Sequence, residues 1–368
     1  MNVPMLDLHP AYAELRAELD AAYHRVMDSG RYLLGAELAG FEAEYAASVG
    51  TAHAVGVANG LEALQLVLMA QEVGPGHEVI VPSNGYIATW LAVTAVGATP
   101  VPVEPDPATH NLDPERLSAA LTPRTKVILP IHLYGQTADM AALRSIAHEY
   151  DLFVLEDAAQ SHGARCGRRA SGSLGHAGAT SFYPSKNLGA FADAGAITTD
   201  DGDLAERLRA RRNYGSHERY RHDVIGLNSR MDELTAACLR VRLTRLAEWN
   251  ARRTGQARAY LSGLAGVGDL TLPFVPDWAE PAWHLFVIRT ACRDRLRAHL
   301  EKAGIGSQIH YPIPPHLSGA YRDLGYPRGA FPIAERLADE VLSLPIGPHL
   351  SPSQTALVID AVRGFFSK

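Results

Sequence analysis

The chain has 368 residues, 47% of them hydrophobic and 20% charged, the proportions of an ordinary globular protein with room for one large and one smaller domain. A net charge of −6, with no basic run beyond "RLRARR" at 207–212, argues against an electrostatic grip on nucleic acid. Cys166, Cys238 and Cys292 make neither a disulfide framework nor a metal pattern, the opening segment turns polar at once, and no apolar run reaches membrane-span length, so a cytoplasmic, metal-free protein is expected.

Taken in chain order, "AYAELRAELDAAYHRVMDSG" places Leu15, Leu19, Tyr23, Val26 and Met27 at helical spacing and ends on Ser29-Gly30 as a capped helix would. "FEAEYAASVG" predicts a second helix. An alternation then begins: strand "HAVGVANG" and helix "LEALQLVLMAQEVG", strand "HEVIVPS" and helix "GYIATWLAVTAVG". Strand "TPVPVEP" leads to "DPERLSAALT", predicted as a helix with Asp113 as its cap and Pro114 in the first turn. "TKVILPIHLYG", "DMAALRSIAHEY" and "LFVLEDAAQ" continue as strand, helix and strand. Apolar strands between amphipathic helices predict an α/β fold, a mostly parallel sheet covered on both faces with ligand loops after the strand ends. Beyond "GAITTDD" come an Arg-rich helix, the loop "NYGSHERYRHDVIGLNSRMDE" and one long helix, "LTAACLRVRLTRLAEWNARRTGQARAYLSGL". The large domain is assigned to 1–250 and a small C-terminal α+β domain to 251–368.

Three stretches carry chemistry. In "VANGLEAL" a strand gives way to a helix, leaving the amides of Gly60, Leu61 and Glu62 at a helix N-terminus, where anions bind. In "VLEDAAQSHGA", Asp157 and Gln160 follow an apolar strand; Asp157 is either a helix cap or the partner of a cationic heterocycle. In "SFYPSKNLGAFADAG", Lys186 is a lone ammonium among small and aromatic residues, Ser181 offers a hydroxyl to a phosphate, and Gly189, Ala190 and Gly195 let backbone approach a ligand. Alone, each has an ordinary reading as turn, cap or surface lysine. In order at one sheet edge, they supply what pyridoxal 5'-phosphate requires: an anion seat, a carboxylate for the pyridine nitrogen and an amine for the aldehyde. Poor solvation and a cationic ring nearby would both lower the lysine pKa.

With "EDAAQSHGA", "SFYPSKNLGAFADAGAITTDD" and "NSRMDELTAA" in place, the chain resembles the nucleotide-sugar aminotransferases of the DegT/DnrJ/StrS type, fold-type I pyridoxal-phosphate enzymes. The resemblance runs from "LDLHPAYAELRAEL" to "SLPIGPHLS" and implies a seven-stranded, mostly parallel sheet in the large domain. It implies that Lys186 forms the Schiff base, Asp157 pairs with the pyridine nitrogen, Gln160 approaches the ring oxygen and Tyr86 stacks on the ring. Ser181 with the Gly60 and Leu61 amides would hold the phosphate. Asn228 would reach the cofactor of a neighbouring subunit, which makes the enzyme a homodimer with shared sites. Two departures stand out: "NGLEAL" lacks the Thr-Asp of many relatives, and "FADAG" replaces "FGDGG". A branch with histidine in place of the lysine dehydrates its substrate; Lys186 sets this chain outside it.

The resemblance further implies L-glutamate as donor, pyridoxamine 5'-phosphate as the intermediate carrier, and a nucleotide-diphosphate keto-sugar as acceptor. Tyr183, His310 and Tyr311 would line the sugar end, with His316 nearby, while Arg212, Tyr214, Arg219 and Tyr220 offer cations and rings to the diphosphate and base. "SNGYIATWLAV" and "FYPSKNLGA" favour amination at C3 of a dTDP-linked 3-keto-6-deoxyhexose. The alternatives are a C4-keto-sugar or keto-cyclitol aminotransferase and, in another class, a non-catalytic cofactor-binding sensor.

Overall fold

The computed structural model describes residues 2–218 and 220–367. Seven strands form the main sheet: β1 (His53–Val57), β2 (Glu78–Pro82), β3 (Thr99–Val103), β4 (Thr125–Ile128), β5 (Phe153–Asp157), β6 (Ala177–Ser181) and β7 (Gly195–Thr199). Their spatial order is β1-β7-β6-β5-β4-β2-β3. From β6 to β3 the neighbours pair in parallel, while β7 runs antiparallel to both β6 and β1. The expected mostly parallel sheet is therefore present, with one reversed strand.

Twelve α-helices accompany the sheet among the described residues: α1 (His9–Glu14), α2 (Arg16–Ser29), α3 (Ala36–Val49), α4 (Gly60–Ala70), α5 (Ala88–Ala95), α6 (Met140–Glu149), α7 (Gly202–Arg211), α8 (Glu233–Leu243), α9 (Leu246–Leu264), α10 (Arg293–Lys302), α11 (Pro332–Glu340) and α12 (Pro352–Phe366). Helix α2 closes at Gly30, whose φ of 63° is the left-handed C-cap its sequence predicts. Helix α4 packs Leu64, Val67 and Leu68 with Val55, Val79, Val127 and Leu155 of the sheet in a fully apolar core. Burying such side chains is the main force holding the layers together.

Two elements differ from the sequence reading. "DPERLSAALT" forms only a 3-10 turn, Pro114–Arg116; Asp113 is its cap as expected, the carboxylate accepting from Glu115 N at 3.0 Å, but the helix does not continue. The long helix predicted from 234 is two helices, α8 and α9, parted at Thr244–Arg245. No glycine or proline marks that break, so periodicity does not reveal it.

A second core gathers Val3, Tyr260, Leu264, Phe286, Ile288, Leu296, Leu342 and Val358. It is built on an antiparallel pair, β8 (Phe286–Arg289) and β9 (Val341–Leu344). Val3 joins it through a bridge to Ile305, and α9 enters it through Ala257, Tyr260 and Leu264, so the chain's opening residues and one long helix belong to both halves. Glu104, just past β3, accepts from the Ile333 and Ala334 amides at 2.6 and 3.0 Å, tying the first turn of α11 to the large sheet. Among the described residues no helix is long and apolar enough to cross a membrane.

Candidate active site

The carboxyl ends of β1, β5 and β6 lie at one edge of the sheet. Val57 and Ser181 flank Gly195 in register, and Asp157 sits beside Ala179. Gly195 is needed because a Cβ there would meet the Asn59 carbonyl carbon and oxygen at 2.5 Å. The close approach at this glycine is thus of chain on chain, not of backbone on ligand.

At the start of α4, Asn59 Oδ1 accepts from Glu62 N at 2.8 Å. This cap removes Glu62 from the expected set of anion donors and leaves the amides of Gly60 and Leu61 at the helix end. Ser181 stands against Gly60: a Cβ on Gly60 would come within 2.6 Å of Ser181 Cβ. A Gly60→Ala change must push these segments apart. We expect it to weaken cofactor binding at least about tenfold while the fold survives, measured by titrating the apoprotein with pyridoxal phosphate and by thermal melting.

Asp157 is 7% exposed. Thr89 Oγ1 donates to its Oδ2 at 2.6 Å, and Ala159 N to its Oδ1 at 3.1 Å. Lys186 is half-buried, and protein crowds its amine. Burial lowers its pKa to about 8, and the Asp157 charge acts in the opposite direction. A share of free amine is therefore present near neutrality.

Gln160 Oε1 accepts from Tyr134 N at 2.7 Å and its Nε2 donates to the Tyr311 hydroxyl at 2.9 Å, so it braces Tyr311. The Tyr311 and Tyr86 rings lie 5.3 Å apart at 38°, forming one aromatic wall. His310 shares a hydrogen bond of 2.7 Å with Ser343 Oγ, and its carbonyl accepts from the Tyr134 hydroxyl. Tyr183 is exposed, and its carbonyl accepts from Lys186 N.

Other residues named from sequence lie elsewhere or serve other ends. Arg212 is buried in an ion pair with Glu42 and donates to the Gly56 carbonyl at 2.8 Å, which withdraws it from ligand binding. His316 is buried against Glu335 at 3.0 Å, a structural pair. Tyr214 is exposed with the Arg230 guanidinium 5.4 Å from its ring centre. Asn228 is exposed and bridges to Asn213 through the backbone. Arg219 lies outside the described residues.

Sequence reasoning missed Thr89, Asn187, Asn250 and His284, whose partners are distant in the chain, and it treated His162 only as part of a motif. Burial lowers His162 to a pKa of about 3 and His310 to about 4, with the Lys186 charge adding to both; His284 is lowered well below 6.5 for the same reasons. Below pH 6.5 the unfolded chain binds protons that these folded imidazoles refuse, so stability falls as pH drops through 6.5 toward 4, each group adding a slope of up to about 1.4 kcal/mol per pH unit. Carboxylates with lowered pKa, such as Glu14 at about 2, lose their contribution only below their ordinary 4.5, leaving pH 6.5–5 to the histidines. Urea unfolding of the apoprotein should show this loss, and His162→Gln should reduce the slope by about one proton; a flat profile from pH 7 to 5 would contradict it.

The model of the DegT/DnrJ/EryC1/StrS aminotransferase family matches residues 13–363. The chain belongs to this aminotransferase family. The dTDP-3-amino-3,4,6-trideoxy-alpha-D-glucose transaminase of Streptomyces venezuelae is 57% identical over 362 residues, 98% of this chain and 96% of that protein. The erythromycin biosynthesis sensory transduction protein EryC1 of Saccharopolyspora erythraea is 55% identical over 363 residues, 99% of each. The crystal structure of S. venezuelae DesV in complex with a ketimine intermediate superposes with a TM-score of 0.98 at 56% identity, covering 100% of this chain and 99% of that one.

The chain is a pyridoxal-phosphate-dependent aminotransferase. Its residues fit that cofactor: two helix-end amides and a hydroxyl for a phosphate, a buried carboxylate for a protonated ring nitrogen, and a partly neutral lysine amine on the same edge.

Proposed function

We propose that this aminotransferase moves the amino group of L-glutamate to C3 of a dTDP-linked 3-keto-6-deoxyhexose, giving 2-oxoglutarate and the 3-amino-3,6-dideoxy sugar, in the cytoplasm and as a homodimer with shared sites. The reaction type rests on one observation: a crowded lysine with a pKa near 8 shares a sheet edge with the Asp157 carboxylate and the Gly60–Ser181 anion seat. Position C3 and the dTDP carrier rest on likeness to the S. venezuelae transaminase.

Lys186 Nζ would hold the cofactor through its aldehyde and, once displaced by the donor amine, would carry the proton from the donor α-carbon to the cofactor carbon. Ser181 and the Gly60 and Leu61 amides would hold the phosphate. Asp157, steadied by Thr89 and Ala159, would keep a proton on the ring nitrogen. When bound, the cofactor supplies an aldehyde for imine formation and a ring that accepts the electron pair left at the donor carbon. Tyr86 would stack on the ring, Gln160 would meet its oxygen, and Tyr183, His310 and Tyr311 would border the sugar. Tyr214 and Arg219 would meet the nucleotide diphosphate, and Asn228 would cross to the neighbouring subunit's site.

The test is incubation of the purified protein with glutamate and, separately, 3-keto and 4-keto nucleotide sugars, with the new C–N bond located by NMR. Amination at C4 alone would overturn the C3 assignment, as would amination of a keto-cyclitol, offered in a third incubation, with neither sugar accepted. Sedimentation, with Asn228→Ala titrated against Lys186→Ala, tests the shared site through recovery of activity in mixed dimers.

A further inference from the structure

From Asn187, next to Lys186, runs a partly buried chain of hydrogen bonds whose directions are fixed by backbone carbonyls. Asn187, next to the lysine, is 5% exposed. Its Nδ2 donates to the Ala282 carbonyl at 2.8 Å, a partner that can only accept, so the orientation of the amide is settled. The same Nδ2 donates to Asn250 Oδ1 at 2.9 Å, and Asn250 Nδ2 donates to the His162 carbonyl at 2.8 Å. His162 Nε2 in turn donates to the Ser181 carbonyl at 3.0 Å. On the other side, Asn187 Oδ1 accepts from His284 Nδ1 at 3.3 Å, which sets the tautomer of that ring. Arg253, 3% exposed, donates to the carbonyls of Trp283, His284 and Ile346 and holds the segment that carries His284.

One network thus joins the loop after β5, the end of β6, the lysine loop, helix α9 and the strand entry at 282–284. Four of these pieces are joined through two asparagine side chains. We propose that Asn187, Asn250 and His284 are positioning residues that hold the Lys186 amine in register with the anion seat at Gly60 and Ser181. The inference rests on the reading of Lys186 as the cofactor-bearing amine. A lysine side chain has four rotatable carbons, so a fixed neighbouring backbone decides how often its amine meets an aldehyde whose phosphate is anchored elsewhere.

The experiment uses full-length apoprotein and pyridoxal phosphate. Amine and aldehyde join as a C=N bond with loss of one water, and borohydride hydride makes the link permanent, so its rate of formation reads the register independently of turnover. Asn187→Ala and Asn250→Ala should each slow this rate at least tenfold and shift the pH midpoint of the bound cofactor's absorbance. The double variant should be no slower than the worse single one, because both act through one network. His284→Asn, which keeps an N–H near the Nδ1 position, should stay near the parent, while His284→Phe should match Asn187→Ala; this pair decides the matter if Asn187→Ala does not fold. Unchanged linkage rates and pH midpoints with only a lower melting temperature, or additive effects in the double variant, would overturn the proposal. Failure of the parent protein to form a trappable link at residue 186 would instead overturn the reading of Lys186.

Discussion

On the proposed reading, Lys186→Ala should yield a folded protein that still binds pyridoxal phosphate yet transaminates slower by about 10⁴-fold or more, since nucleophile and proton carrier would both be lost. Binding survives because the phosphate seat and Asp157 are built from other segments: the helix end at Gly60 and Leu61, the hydroxyl of Ser181 and the carboxyl end of β5. Melting should hold or rise, because alanine removes a crowded ammonium whose pKa burial has already lowered. Three readings check it: product by mass spectrometry, cofactor retained after dialysis, and loss of the borohydride-trapped link. Normal product formation would remove Lys186 from the chemistry.

Asp157→Asn should cost about 10²-fold to 10³-fold in kcat with a smaller change in cofactor affinity, the range for losing one preorganised charged partner of the reacting group. The amide keeps the shape of the carboxylate, so the contacts from Thr89 and Ala159 can be accommodated, but it cannot hold a proton on the ring nitrogen. A second effect follows at Lys186. The Asp157 charge raises the pKa of that amine, so its removal lets the lysine titrate below about 8. The pH dependence of apoprotein reaction with pyridoxal phosphate should shift toward acid in the variant, opposite to the fall in turnover. A mere loss of structure would lower melting and, by returning the amine to water, move that midpoint toward alkali instead.

Much of the site is legible without coordinates because its parts are local. The strand-to-helix turn at Asn59-Gly60, the carboxylate closing "VLED" and the single lysine of "SFYPSKN" each sit at a strand end, and strand ends of such a sheet converge on one edge. Alternating apolar strands and amphipathic helices likewise determine the layered architecture, since each element must bury one face.

What only the tertiary structure decided are the partners of groups whose neighbours lie far along the chain. Arg212 is spent on Glu42, 170 residues away, and Thr89 on Asp157, 68 residues away. The direction of β7, the break between α8 and α9, and the entry of Val3 into the second core also leave no local pattern. Periodicity reports which face of an element is buried and not what it is buried against. Asn187 looks like one more polar residue after the lysine, and its 63-residue reach to Asn250 exists only once the chain has closed.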